Sequence, residues 1–162
     1  MKKSTKGFSL IELLIVVAII LIIAAIAVPS LLRSRIAANQ ASAAQSLRTI
    51  NTSEVAYAST FPTGYSPTLV SLGPDANGCV TPVAATACLI DSVLAAGDKS
   101  GYSVIYTAGA ADSTGRYNTY TVTASPIVAG TSGTNYYFTD QTMVIRMDNS
   151  TTATAASTPI GG

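Results

Sequence analysis

Few residues in this chain can do chemistry, and the first of them is an acid in an oily setting. Glu12 lies one turn into an apolar run, Phe8 to Val28, whose only other polar member is Ser9. A carboxylate placed there needs a cation to meet it or an opening to water. Cutting the bond between Gly7 and Phe8 would create such a cation, an ammonium four residues from Glu12 and on the same helix face. The second reactive pair is Cys79 and Cys88, the only cysteines, which enclose eight residues. Closing so short a loop with a disulfide gives roughly 2.5–3 kcal/mol on the chain-entropy estimate, and the bond belongs to an oxidising compartment. Two buried free thiols in a cytosolic domain are the alternative. The third pair, Asp140 and Asp148, flanks the last predicted hairpin and could offer carboxylates to calcium. Two aspartates fall well short of the roughly six to eight oxygens that ion takes, so no metal is expected. The chain has no histidine, which removes Ser/His and Cys/His dyads, and no glycine-rich phosphate loop is present. Neither an enzyme nor a cofactor is expected.

The element that must position Glu12 is the apolar run itself. Its 21 residues, wound as a helix, cover about 31 Å, the thickness of a bilayer's hydrocarbon core. With no polar face, such a helix must be surrounded by lipid or by other helices. Three readings fit. One is a plain single-span anchor. Another is a cleaved secretory signal, with Lys2, Lys3 and Lys6 as its basic start and Ala25 and Ala27 as small residues at the cut; its core is too long and carries an acid. The third is a cut ahead of the run, between Gly7 and Phe8.

Gly7-Phe8-Ser9-Leu10-Ile11-Glu12-Leu13, behind a short basic leader and ahead of a long apolar run, resembles the processing motif of type IV pilins and their secretion relatives, the pseudopilins. The resemblance implies cleavage after Gly7 by a membrane-embedded prepilin peptidase, which also methylates the new N-terminal Phe8. It implies that Glu12 pairs with the Phe8 ammonium of a neighbouring subunit during assembly, and that Pro29 is the proline ending the apolar segment. The partners implied are further copies of the chain, the peptidase and methylase, an inner-membrane assembly platform, and membrane lipid before assembly. The fold implied is a long N-terminal helix carrying an α+β head.

The remaining residues point the same way. Charged residues make up only 10% of the chain. Without residues 1–7 as leader, six basic and eight acidic residues remain. From Thr60 onward three basic residues face six acidic ones, so no basic stripe marks nucleic-acid binding. The leader lysines favour a cytoplasmic N-terminus and an exported C-terminal part. Arg33 and Arg35 oppose that orientation, and the cysteine pair supports it.

Past Pro29, where a bend is expected, Leu32, Ile36, Ala43, Leu47, Ile50 and Tyr57 form the stripe of an amphipathic helix over 29–60, ending before Phe61-Pro62. Residues 61–148 read as a globular head. Within it, Ser66–Leu72 and Ala87–Ala96 are helical candidates. In the second, Leu89, Ile90, Val93 and Leu94 share a face and Gly97 stands at the C-cap. Strands are predicted over Tyr102–Thr107, Tyr117–Ala124, Tyr136–Thr139 and Met143–Met147, the last two as a hairpin. Residues 149–162, rich in Ser, Thr and Ala, read as a disordered tail open to O-linked sugars. Asn51-Thr52-Ser53 and Asn149-Ser150-Thr151 fit the N-linked acceptor pattern.

The fold class expected is α+β, a long helix followed by an antiparallel sheet. The function expected is a structural subunit of a type IV pilus, inserted in the inner membrane as a precursor and later extracellular. Its first rival is the major pseudopilin of a type II secretion system, in the periplasm. A second rival is a membrane-tethered periplasmic binding module that never polymerises.

Overall fold

The computed structural model describes residues 7–160. A helix, α1 (Leu10–Thr60), precedes a sheet of six short strands, giving the α+β layout. The chain divides into two compact units, Met1–Arg35 and Ile36–Gly162.

In the first unit the helix opens with the Leu13 N–H donating to the Ser9 carbonyl at 3.2 Å. From here to Val28 the large apolar side chains stand uncovered, Leu10 at 79% and Ile26 at 73% exposure. The helix continues through Pro29 without interruption. A proline removes one backbone bond, the one to the carbonyl four residues earlier, and neighbouring turns can hold the helix across that gap.

In the second unit α1 becomes amphipathic. Ala43, Leu47, Ile50 and Tyr57 are buried and Ile36 is half-buried, whereas Leu32, still in the first unit, is exposed at 44%. The apolar stripe therefore starts later than its spacing predicts. Its first tertiary anchors are polar: Asn39 donates to the Ser132 carbonyl at 2.8 Å and Gln40 to Thr134 Oγ1 at 2.8 Å. The helix ends at Thr60, just ahead of Phe61-Pro62 as predicted, with the Phe61 N–H still donating to the Tyr57 carbonyl.

The sheet is an antiparallel meander, each strand pairing with the next: β1 (Asp98–Lys99), β2 (Tyr102–Ala108), β3 (Tyr120–Pro126), β4 (Tyr136–Asp140), β5 (Arg146–Asp148) and β6 (Thr158–Pro159). The register runs from Tyr102↔Pro126 to Ala108↔Tyr120, from Thr121↔Asp140 to Ala124↔Tyr137, and from Tyr136↔Asp148 to Phe138↔Arg146. Alternate residues of β3 (Tyr120, Val122, Ala124) face inward, as period two requires. They join Tyr102, Val104 and Tyr137 in one core with Leu47, Ile50 and Tyr57 of α1.

Several segments differ from the sequence prediction, each for a visible reason. The Ala87–Ala96 helix shrinks to α2 (Ser92–Ala95), capped by Asp91, whose carboxylate accepts from the Leu94 N–H at 3.0 Å. Residues 87–90 instead run beside a short 3-10 turn, Leu69–Leu72, and donate to the carbonyls of Ser71, Leu72 and Gly73. Leu94 and Ile90 are buried, but Val93 is 54% exposed, so the predicted face is broken. Strand β3 begins at Tyr120 because Tyr117 pairs elsewhere: its N–H donates to Thr63 and its carbonyl accepts from Tyr65. Strand β5 begins at Arg146 because Met143 turns through a left-handed φ of 62°. The disordered tail is also corrected. Ala153 is 1% exposed, Arg146 donates to the Ser157 carbonyl at 3.1 Å, and Thr158–Pro159 adds to the sheet as β6.

Gly64 lies hard against another stretch of backbone. Its φ is 74°, and a Cβ there would collide with the Tyr117 carbonyl oxygen. Gly64→Ala should destabilise the second unit by about 2–3 kcal/mol, combining left-handed strain with a backbone clash. A melt of the full chain in detergent reads this; an unchanged midpoint would count against the Gly64–Tyr117 pairing.

Candidate functional site

The N-terminal site is built around a backbone bond and one acid. A Cβ on Gly7 would meet nothing within 4 Å, and Phe8 is 83% exposed, so the Gly7–Phe8 bond is open to a protease. Ser9 stands just before the helix and Glu12 three residues on. The Glu12 carboxylate turns back and accepts the Ser9 N–H at 3.0 Å. This is half of a capping box: an acid in the first turn satisfies an N–H that the helix leaves orphaned and complements the dipole. The Ser-Leu-Ile-Glu spacing carries that signal, which was not drawn from the sequence. Chemically, the arrangement holds a carboxylate over the backbone one residue from where a cut would leave an ammonium. Lys2, Lys3 and Lys6 lie outside the described residues.

Residues 2–28 match the prokaryotic N-terminal methylation motif. This motif is the leader signature of type IV pilin and pseudopilin precursors. No curated protein and no solved structure matches the chain. The methylation motif covers Gly7, Phe8 and Glu12 and ends one residue before Pro29. The motif overlaps the start of α1, which alone among the described residues is long and apolar enough to cross a membrane.

The other predicted site residues fall outside this motif. Cys79 and Cys88 are joined, with Cα atoms 5.6 Å apart, within the usual span for a disulfide. The Tyr57 hydroxyl fastens the enclosed loop from below by donating to the Ala84 carbonyl at 2.6 Å. Replacing both cysteines with serine should cost roughly 2.5–3 kcal/mol. The midpoint of the double mutant should match that of reduced wild type; a reductant-insensitive wild-type melt would remove the bond's structural role.

Asp140 and Asp148 do not converge. Asp140 ends β4, whereas Asp148 lies across from Tyr136 at that strand's start. The separation is about 13 Å along the strand, too far to share one ion. Each serves a turn instead, Asp140 accepting from the Thr142 N–H at 2.9 Å and Asp148 from the Ser150 N–H at 2.8 Å. These Ser150 bonds hold the Asp148 carboxyl below the usual range. Among the described residues no three His, Cys, Asp or Glu cluster as metal ligands.

Asn51 is 5% exposed and unavailable to sugar. Its amide donates to Thr139 Oγ1 at 2.9 Å and its carbonyl accepts from the Tyr120 hydroxyl at 3.0 Å. Beside it lies a residue absent from the sequence expectations. Glu54 is 0% exposed, and its carboxyl contacts both the N–H (2.9 Å) and the hydroxyl of Ser66, whose carbonyl accepts from the Tyr106 hydroxyl at 2.8 Å. Burial raises its pKa, partly opposed by these bonds. Its spacing gave a usable signal: Leu47, Ile50, Glu54 and Tyr57 follow one another by 3, 4 and 3 residues, which places the acid on the buried stripe.

Proposed function

We propose that this chain is a structural subunit that polymerises into a type IV pilus through its apolar N-terminal helix. The leader is cut after Gly7, Phe8 is methylated, and α1 then leaves lipid for a bundle of its own copies. One observation carries the reading: an open Gly7–Phe8 bond stands one turn from Glu12, at the head of a helix whose large apolar side chains from Leu10 to Val28 stand uncovered among the described residues. Covering them is worth roughly 1.5–3 kcal/mol per large side chain, so two environments suit the helix, lipid before assembly and neighbouring helices after it. The peptidase and methylase and an inner-membrane platform are the partners this route requires. The precursor places its N-terminus in the cytoplasm and its disulfide-bearing unit outside.

A second reading, the major pseudopilin of a secretion system, draws on the cysteines. Cys79 and Cys88 precede the sheet instead of closing a C-terminal loop, and the β4–β5 hairpin lies late in the chain. Mass spectrometry of the membrane fraction tests what the two readings share. A chain beginning at methylated Phe8 supports them; an intact Met1 or a cut after Ala27 leaves a tether or a secreted domain. Imaging of sheared cell surfaces then separates long surface filaments from a periplasmic structure.

A further inference from the structure

Exposed charge in this chain is sorted by element. Past Glu12, the exposed charges of α1 are all cations, Arg33, Arg35 and Arg48. Residues 61–160 carry six aspartates against Lys99, Arg116 and Arg146. Among the described residues the one ion pair is Lys99 with Asp91, and the helix arginines meet no carboxylate there.

Arg48 is the best placed of the three. With Gln45, Thr49, Thr52, Ser53 and Leu89 it lines a shallow groove of about 280 Å³ between α1 and the segment that carries Leu89. Ser53 donates to the Leu89 carbonyl at 3.1 Å, fixing the far wall. Thr49 and Thr52 spend their protons on the carbonyls of Gln45 and Arg48. Among the described residues the donors left over in the groove are therefore the Arg48 guanidinium and the Gln45 amide, a pair suited to a carboxylate taken bidentately.

The aspartates that could answer are mostly engaged. Asp75, Asp112, Asp140 and Asp148 accept bonds within their own turns, and Asp91 caps α2. Asp98 is exposed, makes no side-chain bond among the described residues, and opens β1, an edge strand of the sheet.

We infer that the Arg48 groove receives Asp98 from a second copy of this chain. Within the polymer the contact runs head to tail: each copy gives its Asp98 to one neighbour and its Arg48 groove to another, instead of exchanging both with a single two-fold partner. Such contacts propagate into open helical filaments, whereas a self-complementary patch would stop at a dimer. The inference rests on the polymer reading above and adds a lateral contact outside the apolar helix.

The test is a charge swap in cells making the full chain, with leader processing and thermal midpoint measured in every strain. R48E and D98R should each lower sheared filament yield by roughly tenfold or more, and R48E/D98R should bring it back to within about threefold of wild type. Unchanged yield in R48E, or a double mutant no better than the singles, overturns the contact. Loss of binding to anionic vesicles by R48E with filament yield intact also overturns it and assigns the groove to lipid headgroups. A wild-type chain processed normally yet never found in filaments sinks the polymer reading itself, a separate result.

Discussion

Cells producing the E12A chain should insert and cleave the precursor normally and yield roughly a hundredfold less filament, or none. Glu12 is the only charge between Phe8 and Val28, so nothing else in the run can set how far one helix slides along the next. In a bundle of apolar helices, sliding by a turn exchanges one Ile or Leu contact for another at little cost. An acid matched to the Phe8 ammonium of a neighbour changes that: out of register, it is buried and uncompensated, a penalty of about 3–5 kcal/mol. The Ser9 N–H bond gives Glu12 a second role that must be separated from the first. Losing a helix cap costs only about 1 kcal/mol. E12Q keeps an oxygen for Ser9 and loses the charge. If charge sets the stagger, E12Q fails as E12A does; if capping is the whole role, E12Q assembles normally. Wild-type yield from E12A would remove Glu12 from assembly altogether.

The parts of the molecule legible in the sequence were those with strong local signals. A 21-residue run with only Ser9 and Glu12 polar can be read only as a helix seeking lipid or its like. Tyr120, Val122 and Ala124 alternate plainly enough to mark β3. What escaped had its cause elsewhere in the chain. Strands β1 and β6 are two residues each, too short for any pattern, and exist because β2 and β5 present open edges to them. Residues 87–90 are apolar and helix-permissive, yet Cys88 is tied to Cys79 and its neighbours bond the 3-10 turn. No periodicity in that segment reports those tethers. The tail was misjudged by composition alone: Ser and Thr dominate it, but Ala153 is buried and the Ser157 carbonyl takes a guanidinium proton.

Glu54 was missed for the opposite reason, since it stood in plain view on an apolar stripe, and it should dominate the stability of the second unit. Its carboxyl has no cation beside it; Ser66 meets it directly, and Tyr106 bonds the Ser66 carbonyl next to it. E54A leaves the Ser66 N–H unpaired in a cavity and should destabilise the unit by about 3 kcal/mol at about pH 4.5, a gap that narrows as pH rises because the alanine does not titrate. E54Q behaves differently, because its amide reproduces the protonated acid: the carbonyl accepts from the Ser66 N–H and the NH₂ donates to the hydroxyl. The pH dependence follows from the raised pKa. Below the unfolded value of 4.5 the acid is protonated in both states and its contribution is fully present. As pH climbs from there through the folded pKa, the unfolded chain releases its proton first and stability falls, by at most ~1.4 kcal/mol per pH unit. Asp91 and Asp148, held low by their partners, act in the other direction, losing their contribution as pH drops below the ordinary aspartate range. Melts of the full chain in detergent should therefore show wild type and E54Q nearly equal at pH 4.5, with E54A below both, and E54Q the most stable of the three at pH 8. Parallel wild-type and E54Q curves from pH 4.5 to pH 8 would mean that the buried carboxyl keeps an ordinary pKa, and that Ser66 and Tyr106 solvate its anion as well as water does.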